Sequence, residues 1–315
     1  MRLGVLDIGS NTVHLLVADA HAGGRPQATT SHRSVLRLMR YLEPDGSISR
    51  EGVSALTEAV RSAMVVARDE RVEQLLAIAT SAVREATNGA AVVAEIEEIL
   101  GQPLEVVDGD LEARFTFVAV RRWLGWSAGR ILMFDIGGGS LEIAGGAEEV
   151  PDFSMSLPLG AGRMTIEFLP EDPPGMEALE RLDEHARAEL HRALAEHGRP
   201  ARPDRVIGTS KTIRSLAKLA GFPVGPDTDQ RQLLPREQLE AWIPRLSRLP
   251  AQWRSELPGI TPERTFQIVA GAVVVNAAMD VFRVDELEVC PWALREGVLL
   301  RTLERMEWAP GASGH

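Results

Sequence analysis

The chain is nearly devoid of cysteine and lysine and has no long apolar run, and each shortage excludes something. Cys290 is the sole thiol in 315 residues. No intrachain disulfide can form, and the expected setting is the reducing cytoplasm. No Cys/His cluster suggests zinc. His185, His191 and His197 read as solvated positions of an amphipathic helix. Nothing approaches the roughly 18 consecutive apolar residues of a membrane helix, so no membrane partner is expected. A secretory leader is not expected either, because Asp7 interrupts the first apolar run and no cleavage site follows. Positive charge is also short. The net charge of −11 argues against a general nucleic-acid binder, so no nucleic-acid polymer is expected as a partner. A polyanionic substrate stays open, since a few cations can line a local site. Lys211 and Lys218 are the only lysines, which makes a lysine inside a motif noticeable.

What is present is enough chain for two domains, each with its own core. The most informative stretch is Phe134-Asp135-Ile136-Gly137-Gly138-Gly139-Ser140-Leu141-Glu142. The apolar run Ile131–Phe134 delivers an aspartate, three glycines and a serine follow, and Leu141–Ala144 alternates. This predicts strand, tight turn, strand. Glycines let the backbone turn and approach a ligand closely. Successive N–H groups in such a turn form a concavity that binds anions. A carboxylate beside it calls for a metal ion or a proton, which together suggests a metal–phosphate site. A Gly-rich hairpin that binds nothing is the alternative.

A second copy stands near the start. Leu6-Asp7-Ile8-Gly9-Ser10-Asn11-Thr12 is again strand, Asp, Gly-rich turn with hydroxyls, and then the strand-like Val13–Val17. The two aspartates lie 135 − 7 = 128 residues apart, close to a domain's length. Two halves, each aiming an aspartate and a phosphate loop at a shared cleft, are expected.

Between the two turns the pattern predicts a third strand over about 27–38, which ends among Arg33, Arg37 and Arg40. A helix over 50–69 with Ser49 as its cap and a strand over 75–79 follow. That strand runs into Thr80-Ser81-Ala82-Val83-Arg84. Hydroxyls at a strand's C-terminal end are where open α/β sheets bind ligands, and Arg84 could clamp a phosphate. An ordinary capping motif is the other reading. A helix over 90–100 and a strand over 104–107 precede Asp108-Gly109-Asp110-Leu111-Glu112-Ala113-Arg114, which opens a helix ending near Trp126. Glu112 in the first turn is either a helix-dipole complement or a general base. In the second half we expect a strand over 153–159, a Gly-rich turn at Leu159–Arg163 and a long helix over 177–197. A short strand, Arg205–Ile207, leads into Gly208-Thr209-Ser210-Lys211-Thr212 and a helix over 213–220. Strand, hydroxyls, lysine, helix gathers N–H donors and a cation at one helix N-terminus, without P-loop spacing. A purely structural cap is again the alternative. Further helices are expected over 235–248, kinked or broken at Pro244, and over 266–282. A loop over 249–261, a strand over 287–289, a final helix from Leu294 and a disordered tail over 309–315 complete the expectations.

In this order, and with Leu294-Arg295-Glu296-Gly297, these motifs resemble the exopolyphosphatase/guanosine pentaphosphate phosphohydrolase family over nearly the whole chain. Arg122-Trp123 and Gly125–Arg130 resemble its short, actinobacterial-type exopolyphosphatases. The resemblance implies an α/β fold of two actin-like, ribonuclease H-like domains of the sugar kinase/heat-shock ATPase/actin superfamily, with a cleft between them. The domains are expected over 1–126 and 127–292, with the helix at 293–308 packing back on the first. The implied catalytic base is Glu112. Asp7, Asp135 and Glu142 would manage Mg2+, or Mn2+ in its place, and the attacking water. Ser10, Asn11, Gly137, Gly138, Gly139, Ser140, Thr209, Ser210 and Lys211 would hold phosphate, with Arg84 as a clamp. The implied activity is release of orthophosphate from the end of inorganic polyphosphate. Alternatives are removal of the 5′-γ-phosphate of guanosine pentaphosphate, which would tie the protein to the stringent response, a kinase or ATPase of the same superfamily, and a non-catalytic binding regulator. A homodimer is the family-level expectation. Three positions depart from the family pattern: Leu111 precedes Glu112 where a second glutamate is usual, His14 stands for an arginine and Lys211 for a glycine.

Overall fold

The computed structural model describes residues 1–21, 26–224 and 231–307. The chain forms two compact units, Met1–Ala119 with Leu294–His315, and Val120–Ala293.

The first unit opens with an antiparallel meander, β1 (Arg2–Ile8), β2 (Thr12–Asp19) and β3 (Gln27–Val35). The helix α1 (Arg50–Asp69) starts at Ser49, whose hydroxyl accepts from the Gly52 amide at 3.2 Å, as the cap predicts. β4 (Gln74–Ala79) then lies parallel to β1. The single turn α2 (Ser81–Arg84) and α3 (Gly89–Leu100) lead to β5 (Glu105–Val106), and the sheet order is β3-β2-β1-β4-β5. β1 and β2 are buried on both faces, which is why they read as nearly continuous apolar runs. Leu6, Ile8, Val13, Leu15 and Val17 face a core that includes Leu56 and Val60 of α1 and Ile96 of α3. Leu3, Val5, Leu16 and Ala18 point the other way. α4 (Gly109–Leu124) starts in this unit, with Asp108 Oδ1 accepting from the Leu111 amide at 2.8 Å.

The second unit repeats the plan. β6 (Ile131–Ile136), β7 (Leu141–Gly146) and β8 (Phe153–Leu157) form the meander, and α5 (Ala161–Phe168) and α6 (Met176–His197) follow. β9 (Arg205–Thr209) returns parallel to β6 and runs into α7 (Ser210–Ala220). After β10 (Phe222–Val224) and β11 (Arg231–Pro235) come α8 (Arg236–Arg248), α9 (Ala251–Arg254) and the buried α10 (Ile268–Phe282). β12 (Glu286–Val289) completes the sheet order β10-β11-β12-β9-β6-β7-β8. Strands β8-β7-β6-β9-β12 match β3-β2-β1-β4-β5 in order and direction. The last helix, α11 (Leu294–Glu307), belongs to the first unit and buries Leu294, Val298, Leu299 and Leu303 against Leu3, Val5 and Phe115. This is the doubled actin-like α/β fold that the resemblance implies.

Several expectations fail locally. The third strand stops at Val35, because Arg37 turns left-handed (φ 55°) and Leu38–Tyr41 form a 3-10 turn. The Gly-rich turn at Leu159–Arg163 is instead the start of α5. Pro244 neither breaks nor ends α8; the carbonyl it leaves unserved is that of exposed Glu240, where water can replace the lost amide. α9 occupies part of the expected loop, and β10 and β11 were not foreseen. His185 is half-buried and lies on the ring of Phe168, 4.7 Å between centroids, whereas His191 and His197 are exposed. The expected tail lies outside the described residues. Among the described residues, no helix is long and apolar enough to cross a membrane.

Candidate active site

Both Gly-rich turns are built alike. The Gly9 amide donates to the Thr12 carbonyl at 3.0 Å, and Gly137 donates to Ser140 at 2.9 Å. In each unit the chain that follows the meander then passes the turn and takes up its carbonyls. Leu38 N–H reaches the Ser10 oxygen at 2.7 Å, and Leu36 and Arg37 N–H reach the Asn11 oxygen at 2.8 and 3.0 Å. In the second unit, Ala161 N–H bonds the Gly137 oxygen at 3.0 Å and Arg163 N–H the Gly138 oxygen at 2.9 Å. Arg163 Nε bonds the Gly139 oxygen at 3.0 Å. With carbonyls engaged from one side, the turn has the geometry of a candidate anion cradle on the other. The approach is close enough that a Cβ on Gly160 would overlap the backbone of Gly139 and Ser140. The glycine there serves packing, which explains why the sequence reads as a loop.

Each turn carries an acid at the end of its first strand. In the second unit, Asp135 lies opposite Glu142 in the β6–β7 register. Glu142 is buried and accepts from the Ser156 hydroxyl at 2.9 Å. Asp135 and Glu142 are hard oxygen donors on one face of a hairpin, which suits a Mg2+ or Mn2+ ion. Mg2+ commonly takes one or two carboxylates and completes its shell with water and phosphate. No group of three or more His, Cys, Asp and Glu that could hold an ion occurs among the described residues.

In the first unit, Asp7 is buried and lies opposite His14 in the β1–β2 register. Burial pushes the Asp7 carboxyl above its ordinary range, and Arg295 of α11 pulls it part of the way back. Arg295 Nη1 donates to Asp7 Oδ2 at 2.8 Å. That contact could not be found from sequence: the LREG motif stood out, but nothing in it pointed to a partner 288 residues away. The His14 ring Nε2 lies 2.6 Å from the Ser31 hydroxyl.

Glu112 sits in the first turn of α4, where the Asp108 cap and the helix start fix it. Its Oε2 is 3.6 Å from Arg84 Nη1, and that same nitrogen donates to the Val107 carbonyl at 2.7 Å. The candidate base and the candidate clamp are therefore neighbours in one unit. The Ser10 and Ser81 hydroxyls meet at 3.0 Å, which ties the first turn to the end of β4. In the second unit, Thr209 is buried and donates to the Trp292 carbonyl at 2.7 Å, so its hydroxyl hydrogen is committed to the fold. Ser210 adopts φ 79°, a costly backbone for a non-glycine residue, and its hydroxyl accepts from the Ile213 amide at 3.2 Å. Lys211 follows as the second residue of α7, partly exposed.

The chain is 45% identical over 307 residues to exopolyphosphatase 1 of Mycobacterium tuberculosis, covering 96% of this chain and 89% of that protein. It is equally similar, over 305 residues, to exopolyphosphatase 1 of Mycobacterium leprae, covering 96% of this chain and 90% of that protein. Its fold matches the crystal structure of the Aquifex aeolicus Ppx/GppA family member with a TM-score of 0.79 at 25% identity, covering 98% of this chain and 99% of that one. The Ppx/GppA phosphatase family model matches residues 16–306, and the chain belongs to that family.

Proposed function

We propose that the protein is an exopolyphosphatase that hydrolyses the terminal phosphoanhydride of inorganic polyphosphate and releases orthophosphate. The observation that carries this reading is the repeated turn with its carbonyls bound from behind and an acid at its base. The relatives named exopolyphosphatase 1 favour polyphosphate as the substrate.

Phosphoanhydride hydrolysis needs an in-line water, positioning and charge neutralisation, and little covalent chemistry from the protein. Glu112 accepts a proton from the attacking water. The amides of Gly138, Gly139 and Ser140, with those of the Ser10–Asn11 turn, hold non-bridging oxygens. Lys211 and the α7 N-terminus add positive potential. Arg84, next to Glu112, orients the phosphate under attack, and Arg33 and Arg37 follow the rest of the chain. Asp135 and Glu142 would hold Mg2+, which when bound neutralises charge on the terminal phosphates. The protein is proposed to act in the cytoplasm as a homodimer.

The test is orthophosphate release from short polyphosphate, long polyphosphate and guanosine pentaphosphate, each with Mg2+. Polyphosphate should be the better substrate. Glu112→Gln should keep the fold and lose roughly two to four decades of rate. A fully active variant would remove Glu112 as the base. Faster release from guanosine pentaphosphate would transfer the reading to that substrate.

A further inference from the structure

The start of α5 holds consecutive carbonyls of the second turn. Ala161 N–H donates to the Gly137 oxygen at 3.0 Å, Arg163 N–H to the Gly138 oxygen at 2.9 Å, and Arg163 Nε–H to the Gly139 oxygen at 3.0 Å. The peptide bonds of the turn are trans. In a trans peptide the C=O and the N–H of the next residue point in opposite directions. Carbonyls held towards α5 therefore aim the amides of Gly138, Gly139 and Ser140 away from it. The holds differ in kind. Those on Gly137 and Gly138 come from backbone amides, which every residue except proline supplies. The first turn is held in the same way, Ser10 by Leu38 N–H and Asn11 by Leu36 and Arg37 N–H. Among the carbonyls named here, that of Gly139 is the one held by a side chain. Gly139 has no Cβ to restrict rotation of its peptide, so this hold selects the orientation.

We propose that Arg163 is a positioning residue for phosphate binding: its Nε–H holds the Gly139 carbonyl so that the Ser140 amide points into the candidate cradle. The inference rests on the proposed use of this turn to hold phosphate. Arg163 makes further interactions besides these, so its test separates the Nε–H from the charge. Side-chain length makes the separation possible. Glutamine places an amide nitrogen where arginine has Nε, and it carries no charge. Lysine keeps the charge but has a methylene at that place. Methionine has a methyl there and no charge.

Two quantities are measured for Arg163→Gln, Arg163→Lys and Arg163→Met. One is kcat/KM for orthophosphate release from polyphosphate with Mg2+. The other is calorimetric binding of tripolyphosphate in EDTA, which reads the cradle separately from phosphate release. Arg163→Gln should stay within about threefold of wild type in both, because a donor survives at the right place. Arg163→Lys and Arg163→Met should each lose about ten- to a hundredfold in kcat/KM, less than removing an oxyanion donor outright. Their tripolyphosphate affinity should fall in the same order, with the thermal transition of each variant recorded alongside. Greater activity in Arg163→Lys than in Arg163→Gln would show that charge is what acts and would overturn the proposal. Losses that follow the thermal transitions and not the donor would overturn it too, as would a wild type that binds no tripolyphosphate. The expected order of tripolyphosphate affinities in a protein that releases no orthophosphate would leave it standing while removing the exopolyphosphatase reading.

Discussion

At the scale of a residue, Asp7 and Arg295 show how the site holds unfavourable groups in place. A buried carboxylate costs free energy unless it is paired, and removing one partner of a buried pair costs more than the pair contributes. Arg295→Gln should therefore destabilise the protein by about 3 kcal/mol at neutral pH, in the absence of divalent ions. The pH dependence has a definite sign. The Asp7 carboxyl is raised in the folded protein by burial, and Arg295 is what lowers it. A carboxyl raised on folding contributes stability that is complete below its unfolded value and is lost as pH rises through the folded one. Without Arg295 the folded value climbs further, so the deficit should be largest near pH 7 and should shrink as pH falls towards about 4. Chemical denaturation of wild type and variant across that range measures it. A deficit constant with pH would mean that the lost contribution is packing, not charge.

At the scale of elements, close backbone approach decides where the proposed catalytic groups sit. Gly297 lets α11 lie against α4 at the Phe115 carbonyl, three residues beyond Glu112. In an isolated helix, Gly→Ala would stabilise by about 1 kcal/mol. Here the Cβ would enter a backbone carbonyl, and overpacking costs about 1–3 kcal/mol with no flexible side chain to yield. Gly297→Ala should therefore lower stability by up to about 2 kcal/mol net, read from the urea midpoint at unchanged slope. A stabilised variant would show that the helices can slide apart at no cost. The same glycine logic explains what was legible beforehand. The Asp-Gly turns and the Thr-Ser ends of β4 and β9 stood out because glycines, hydroxyls and acids recur there at fixed spacing, whereas Glu112 in the first turn of α4 gained its proposed role only from the family resemblance. α5 was not, because Gly160 and Gly162 look like turn residues when they are in fact small enough to touch the Gly138–Gly139 backbone. β10 and β11 extend an edge of the sheet and carry no periodic signal beside Pro223 and Pro235. The match of His14 with Glu142 became visible only through strand register.

At the scale of the whole molecule, one unit is contiguous and the other is not. Residues 120–293 form a sheet of seven strands with a single large core, in which Phe134, Ile143, Leu182, Ile213 and Val274 are all buried. The first unit must recruit α11 from the far end of the chain to cover the second face of its sheet. Four buried side chains of that helix, Leu294, Val298, Leu299 and Leu303, do the covering. At about 1.5–3 kcal/mol each, their burial is worth roughly 6–12 kcal/mol. That is as large as the net stability of a typical domain, about 5–15 kcal/mol. A fragment of residues 120–293 should therefore fold alone, with a cooperative thermal transition and dispersed amide resonances. A fragment of residues 1–119 should not, and joining residues 290–307 to it through a flexible linker should restore folding. Independent folding of residues 1–119 would mean that α11 contributes mainly Arg295 and its hold on Asp7, and that the apolar face beneath it can be left open to water.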